Sequence, residues 1–320
     1  MPDTPLAANP RLPAPPGIMS EQPWKIDWGY AAGVLMFHLL ALLAFFPWFF
    51  SWTGVLLVPL GIYAFGTVGI CVGFHRLLTH RSFSCPRWLE RTFILLGTCS
   101  VMDSPAYWAA VHRKHHRFAD DEHDPHSPLG SFVWSHFGWY MMKVDPAQRS
   151  ELVETYAKDV MRDPLYAFLE RHWGNWLTVI LLSWLAFFGL GLGAAVAAGA
   201  APADAVQFGA SILVWGVFVR TALVFHDTMC VNSITHLWGY RNYDTNDNSR
   251  NNVVIGILAS GEGWHNNHHA DPRSARHGHL WWEFDLPWAT IRLLQRIGLA
   301  WDVAVPSPKL AALRIDRRPQ

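Results

Sequence analysis

The stretch Trp28–Phe74, WGYAAGVLMFHLLALLAFFPWFFSWTGVLLVPLGIYAFGTVGICVGF, contains no Asp, Glu, Lys or Arg. One helix needs about 20 apolar residues to cross a bilayer, so the run holds two spans and a tight turn. Pro47, Ser51 and Thr53 mark the turn. The spans are expected near 29–49 and 54–74. A second uncharged run, Gly174–Ala203, and a third, Ala205–Val219, flank the breaker Ala201-Pro202-Ala203-Asp204. They predict spans near 176–198 and 205–226. Helices buried in a soluble core rarely run this long without charge. The segment 92–110 is apolar but short and contains Asp103 and Pro105. It is expected to be an interfacial or re-entrant helix rather than a span.

Composition agrees. Of 320 residues, 51% are hydrophobic and 16% charged, which excludes a disordered chain and is low in charge for a soluble enzyme. Lys+Arg and Asp+Glu both number 25, so no basic excess points to nucleic acid. Cys71, Cys85, Cys99 and Cys230 form no CxxC pair, which argues against a disulfide framework or a zinc ribbon. The 18 Trp suit a membrane interface and the 17 His suit metal.

Charge also gives sidedness. Twelve of the 25 Lys+Arg lie in 75–173 and ten in 227–320; Arg11, Lys25 and Arg220 are the rest, and the two hairpin loops carry none. Positive charge stays cytoplasmic. Both termini and both long polar segments are therefore expected on the cytoplasmic face, in an all-α integral membrane protein with a helical cytoplasmic cap. Arg220, near the end of the fourth span, is expected to snorkel. Residues 1–25, rich in proline, read as a disordered tail rather than a signal peptide. The domain is expected over 26–304, with 305–320 a loose tail. Residues 146–173 read as an amphipathic helix near the membrane.

The histidines cluster. His75 and His80 form H-R-L-L-T-H. His112, His115 and His116 form H-R-K-H-H, and His265, His268 and His269 form H-N-N-H-H. Spacing i, i+3, i+4 puts three rings on one helix face. Eight imidazoles are too many for one tetrahedral metal and suit two, drawn from iron, copper, zinc or nickel. No HExxH is present, which disfavours a zinc protease. An all-imidazole two-metal site beside membrane spans suggests oxidative chemistry on a lipid.

A ligating imidazole gives its other N–H to a carboxylate or carbonyl. Asp124 and Glu262 are candidates for that support, against plain capping or loop solvation. Asp120 and Asp121 follow the second box beside Asp124. His123, His126, His277 and His279 read as solvated loop residues. His38 reads as packed or hydrogen-bonded within the bundle, and His226 as structural or supporting. The polar loop Asp244–Asn252 either closes the site towards a head group or redox partner, or is a solvated loop.

H-R-L-L-T-H-R-S-F, W-x-x-x-H-R-K-H-H, D-P-H-S-P, N-S-I-T-H, S-R-N-N and G-E-G-W-H-N-N-H-H together resemble the membrane fatty acid desaturases of the delta-9 type, over roughly 28–302. That family includes stearoyl-CoA and bacterial acyl-lipid enzymes. The resemblance implies two irons on His75, His80, His112, His115, His116, His236, His265, His268 and His269, with Asn232 ordering a water at one of them. It implies O2 as co-substrate, a cis double bond in a saturated acyl chain, and a tunnel bend shaped by Trp108 and Thr228. The animal acyl-CoA enzymes carry Arg-Asp before the second box; here Ala110 and Val111 stand there, which makes acyl-lipid as well as acyl-CoA a plausible carrier. No H-P-G-G haem motif is present, so electrons are expected from a separate donor such as a ferredoxin. A bacterial inner membrane is the expected location. The alternatives are a di-iron lipid or carotenoid hydroxylase and, from another class, a His-rich metal transporter. A transporter would place its ligands at mid-membrane, whereas every box here lies just outside a span.

Overall fold

The computed structural model describes residues 25–315, whose regular elements are helices joined by loops and isolated bridges; no strand occurs among them. The tail expected over 1–25 lies outside the described residues, except for Lys25. Four helices are long and apolar enough to cross a membrane: α1 (Trp28–Phe45), α2 (Trp52–Thr79), then, after four helices named below, Trp173–Ala197 and Pro202–His236. Each matches an expected span. At 1.5 Å per residue, the 28 residues of α2 and the 35 of the last helix exceed a hydrocarbon core of about 30 Å. Their far ends project beyond it, and these ends carry His75, His80 and His236.

Between the two pairs of spans, α3 (Arg87–Thr98) and α4 (Pro105–Phe118) form a hairpin. The expected single helix over 92–110 is broken at Cys99–Ser104, where Val101 and Asp103 adopt positive φ. Ser104 caps α4 by accepting from the Tyr107 N–H, with Pro105 in the first turn. α3 runs antiparallel along α2 at a glycine crossing. A Cβ on Gly69 would sit 2.5 Å from the Gly97 nitrogen, so neither helix tolerates a side chain there. This close approach fixes the first histidine box beside the second.

The expected amphipathic helix over 146–173 is instead two helices, α5 (Pro146–Tyr156) and α6 (Pro164–Arg171). Pro164 lacks the N–H that a continuous helix needs, and Asp163 caps the new start by accepting from the Leu165 and Tyr166 N–H groups. Arg149 on α5 ties this layer to the hairpin through Asp103 (2.8 Å) and Glu170 (2.7 Å). The last two spans are α7 (Trp173–Ala197) and α8 (Pro202–His236). The chain ends in α9 (Val253–Leu258), α10 (His265–Ala270), α11 (Leu286–Arg296) and α12 (Leu310–Leu313).

Two expectations are corrected here. Arg220 does not snorkel. It is fully buried, donates to the Cys99 and Gly216 carbonyls, and lies 3.9 Å over the Phe65 ring. A carbonyl at the end of α3 is a better partner than a distant interface, because the bundle wall blocks the way out. Residues 305–315 are not loose. Leu310 is buried, Asp244 N–H donates to the Leu313 carbonyl, and Ile315 N–H to that of Asn242. The remaining five residues lie outside the described residues.

Candidate metal centre

His75 and His80 sit at the end of α2, where Ile62–Thr79 is wound with wide i→i+5 turns. The His80 N–H donates to the His75 carbonyl at 3.1 Å. On that winding, residues five apart share a face, which a 3.6-residue helix would not give. α4 supplies His112, His115 and His116, α10 supplies His265, His268 and His269, and the end of α8 supplies His236. The nine imidazoles gather into two groups: His75, His80, His112, His116 and His268; and His115, His236, His265 and His269.

Within each group the Nε2 atoms face one another. The separations are 3.1 Å for His75–His268, 3.1 Å for His80–His112, 3.0 Å for His112–His116 and 2.9 Å for His116–His268. In the second group they are 3.0 Å for His236–His265, 3.0 Å for His265–His269 and 3.3 Å for His115–His269. Carboxylates hold the opposite nitrogen of four rings. Nδ1 of His75 meets Glu262 at 2.8 Å, His115 meets Asp124 at 2.9 Å, His236 meets Asp120 at 2.9 Å and His269 meets Asp247 at 2.8 Å. A carboxylate fixes the proton on Nδ1, so Nε2 presents a lone pair. Converging lone pairs such as those of His115 and His269 repel unless a cation lies between them. Ligands about 2.1 Å from a metal and at right angles to one another are about 3.0 Å apart. The donor sets therefore fit two metal ions.

The electrostatics point the same way. Burial, followed by neighbouring imidazoles, holds His80, His112, His116, His265 and His268 well below the ordinary histidine range. Burial pushes His269 down to about 4. These rings are neutral, as ligands must be. Burial alone would raise the supporting acids, but their cationic or imidazole partners prevail. Arg76, His277 and His75 hold Glu262 well below the carboxylate range; His115 and His126 lower Asp124, and His236 lowers Asp120.

Asp124 and Glu262 thus lie against ring nitrogens, and so do Asp120 and Asp247, to which no such support had been attached. In the polar loop, Asp247 reaches His269 and Asn248 N–H donates to Asp120. His126 and His277 are buried rather than solvated. His126 packs on His115 (ring centroids 4.3 Å), and His277 on His268 (4.4 Å) while its Nδ1 meets Glu262 (3.3 Å). Arg76, fully buried, links Glu262 (2.9 Å) to Asp285 (2.8 Å) and locks α2 to the third box. His123 stays at the surface beside Asp121, and His279 meets the Tyr243 hydroxyl at 2.9 Å. His38 and His226 are hydrogen-bonded through their Nε2 atoms at 3.0 Å, away from the nine rings.

Two apolar cavities run up to the histidines. One, the larger, lies between α2 and α8; the other is lined by Met102, Tyr107, Val111, Trp139, Tyr140 and Met229. Trp108, His112, Thr228 and Asn232 line both, so the arms meet there. Trp108 stacks on His112, with centroids 5.0 Å apart and planes at 15°.

The family model described as fatty acid desaturase matches residues 50–301. The sequence is 42% identical over 269 residues to the sn-1 stearoyl-lipid 9-desaturase of Synechocystis sp., covering 84% of this chain and 77% of that protein. It is 41% identical over 285 residues to the sn-1 stearoyl-lipid 9-desaturase of Anabaena variabilis, covering 89% and 96%. To the sn-2 palmitoyl-lipid 9-desaturase of Nostoc sp. it is 39% identical over 275 residues, covering 86% and 89%. A helical bundle with apolar cavities reaching two histidine clusters, matched to this family over most of its length, places the chain in the fatty acid desaturase family of oxidoreductases.

Proposed function

We propose that this chain is an oxygen-dependent acyl-lipid desaturase that introduces a cis double bond at the ninth carbon of a saturated chain held in membrane glycerolipid. The observation that carries this reading is a pair of apolar cavities joined at Trp108, Thr228 and Asn232, directly beneath two sets of converging imidazoles. Relatives that act on acyl-lipids, by their names, support the carrier. So do Ala110 and Val111, both buried, which offer no charge to a CoA phosphate at that point.

His75, His80, His112, His116 and His268 would hold one iron, and His115, His236, His265 and His269 the other. When bound, the irons would supply, with O2, two electrons and two protons, the oxidising power to remove two hydrogens from unactivated methylenes with release of two waters. The chain's own residues position the substrate. Walls from α2 and α8 hold the acyl chain extended, and Trp108 and Thr228 bend it so that one methylene pair faces the imidazoles. Glu262, Asp124, Asp120 and Asp247 keep the proton on Nδ1, leaving Nε2 free. Asn232, which lines both arms, would orient a water at one iron. Electrons come from a separate redox protein of ferredoxin type, and the site faces the cytoplasm of a bacterial inner membrane.

The test is expression in a host that lacks this activity, followed by gas chromatography–mass spectrometry of its lipids. A new cis-9 monounsaturated chain in glycerolipid supports the reading. A hydroxylated chain in its place contradicts it.

A further inference from the structure

The wall between the larger cavity and the outside is thin at one place. α9 is six residues long, VVIGIL, and follows a polar loop. Ile255 on its inner side, and Ala259 just after it, pack on Val231 of α8. Its other side exposes Val254 (62%), Ile257 (67%) and Leu258 (57%). A soluble surface does not present such a face without a partner. The spans it bridges carry the same character, with Leu56, Leu60 and Tyr63 exposed on α2 and Leu223 on α8. The apolar surface of the spans thus extends over α9, and the acyl region of the bilayer is what covers it.

Behind α9, the residues Leu258, Ala259 and Ser260 line the cavity between α2 and α8. Leu258 both lines the cavity and is exposed. The strap is tied to α2 by one hydrogen bond, Thr67 Oγ1 to Ser260 Oγ at 2.8 Å. It turns on two residues of positive φ, Ser260 (59°) and Gly261 (119°). Serine pays a strain penalty in that region, so the tie holds a conformation that serine does not favour.

We infer that α9 and the strap Leu258–Ser260 form a lateral gate through which an acyl chain of a membrane glycerolipid passes sideways between the bilayer and the cavity, with the Thr67–Ser260 bond as its latch. The inference rests on the acyl-lipid reading above. A glycerolipid head group cannot follow its tail through a closed tunnel. A chain bent at Trp108 and Thr228 would also have to be threaded end-on past the bend, carbon by carbon. Sideways passage removes both obstacles.

The experiment uses the full-length enzyme in liposomes of phosphatidylglycerol carrying labelled stearoyl chains, driven by NADPH through a ferredoxin and its reductase. The variant T67C/S260C is oxidised to close the latch covalently. Mass spectrometry at the start and end of the assay shows the bond between positions 67 and 260 rather than to Cys71. Closing the gate should lower multiple turnover about tenfold or more, with recovery on reduction. Enzyme loaded with lipid before oxidation should still complete one turnover and retain the product. Wild-type multiple turnover in the locked enzyme overturns the gate. Loss of the preloaded turnover also overturns it, because the lock then acts on the site and not on passage. If the reduced variant and the wild type both leave the phospholipid unconverted, the acyl-lipid reading fails and the gate with it. As an independent check in the wild type, phospholipid carrying a diazirine near the acyl terminus should label 253–258. No label there contradicts the inference.

Discussion

Replacing Glu262 with glutamine removes one charge and almost no volume at the centre of the proposed site. Glu262 Oε2 lies 2.8 Å from His75 Nδ1, Oε1 accepts from Arg76 at 2.9 Å, and the side chain is almost wholly buried. Glutamine has one acceptor and one donor end. If its oxygen serves His75, its NH2 confronts Arg76, and if it flips, its NH2 confronts the His75 ring. One charge-assisted bond is lost either way, worth about 1.5–3 kcal/mol. Arg76 keeps Asp285 at 2.8 Å and the Ala275 carbonyl at 2.7 Å, so its charge is not stranded. The bundle should therefore survive, and the loss should fall on the tautomer and aim of His75. At about 1.4 kcal/mol per tenfold, metal retention should weaken about 10- to 100-fold, the range seen when the support of a ligand is removed. The assay is metal content of Glu262→Gln and wild type against a graded chelator, with desaturation measured in parallel. Wild-type metal retention and rate would refute the argument that this carboxylate holds the ring. Glu262→Ala should do worse and lose folded protein, because it strands part of a buried ion network, at about 3–5 kcal/mol.

His268→Ala should abolish desaturation while the protein still fractionates with the membrane, since the spans do not depend on that ring; wild-type turnover would show that the box is not ligating. Trp108→Ala should open the junction of the two cavities and spread the double bond over neighbouring positions, read by mass spectrometry of derivatised products; an unchanged single isomer would mean that Trp108 does not shape the bend. Burial alone would raise the Asp103 carboxyl, but Arg149, with Tyr30 and the Ser104 N–H, holds it below the usual 3.8. Its contribution to stability is thus complete above the unfolded value and lost as pH falls through the lower folded value. The melting temperature in detergent should show an Asp103-dependent drop only below about pH 4, and Asp103→Asn should be less stable at pH 7 and lack that part of the drop. Identical pH profiles for the two proteins would contradict this.

The spans were legible because bilayer crossing demands long runs without charge, and 28–74, 174–203 and 205–219 have them. Six of the nine imidazoles were legible as clusters because i, i+3, i+4 spacing puts rings on one helix face, and His236 was reached only through the family resemblance. His75 and His80 are five apart, and only the wide winding of Ile62–Thr79 brings them to one face, which no local pattern signals. Lone histidines were misread. His126 and His277 sit in polar loops and read as solvated, yet chain returns bury them against His115 and His268. A pointer existed for His126, because D-P-H follows the box whose His115 is held by the same Asp124. Arg220 was misread because a single cation in an apolar run suggests escape to an interface, while its acceptor, the Cys99 carbonyl, lies 121 residues away in sequence. Pro164 was the visible warning that 146–173 is not one helix. Asp247 was legible only as part of a loop, since its contact with His269 is tertiary.

The most direct measurement is elemental analysis of active enzyme purified with its membrane lipids, joined to Mössbauer spectroscopy of protein grown on iron-57. Two groups of converging imidazoles predict about two irons per chain in coupled, nitrogen-rich environments, with desaturation rising in proportion to iron bound. Active protein that holds stoichiometric zinc, or a single iron, would contradict the account.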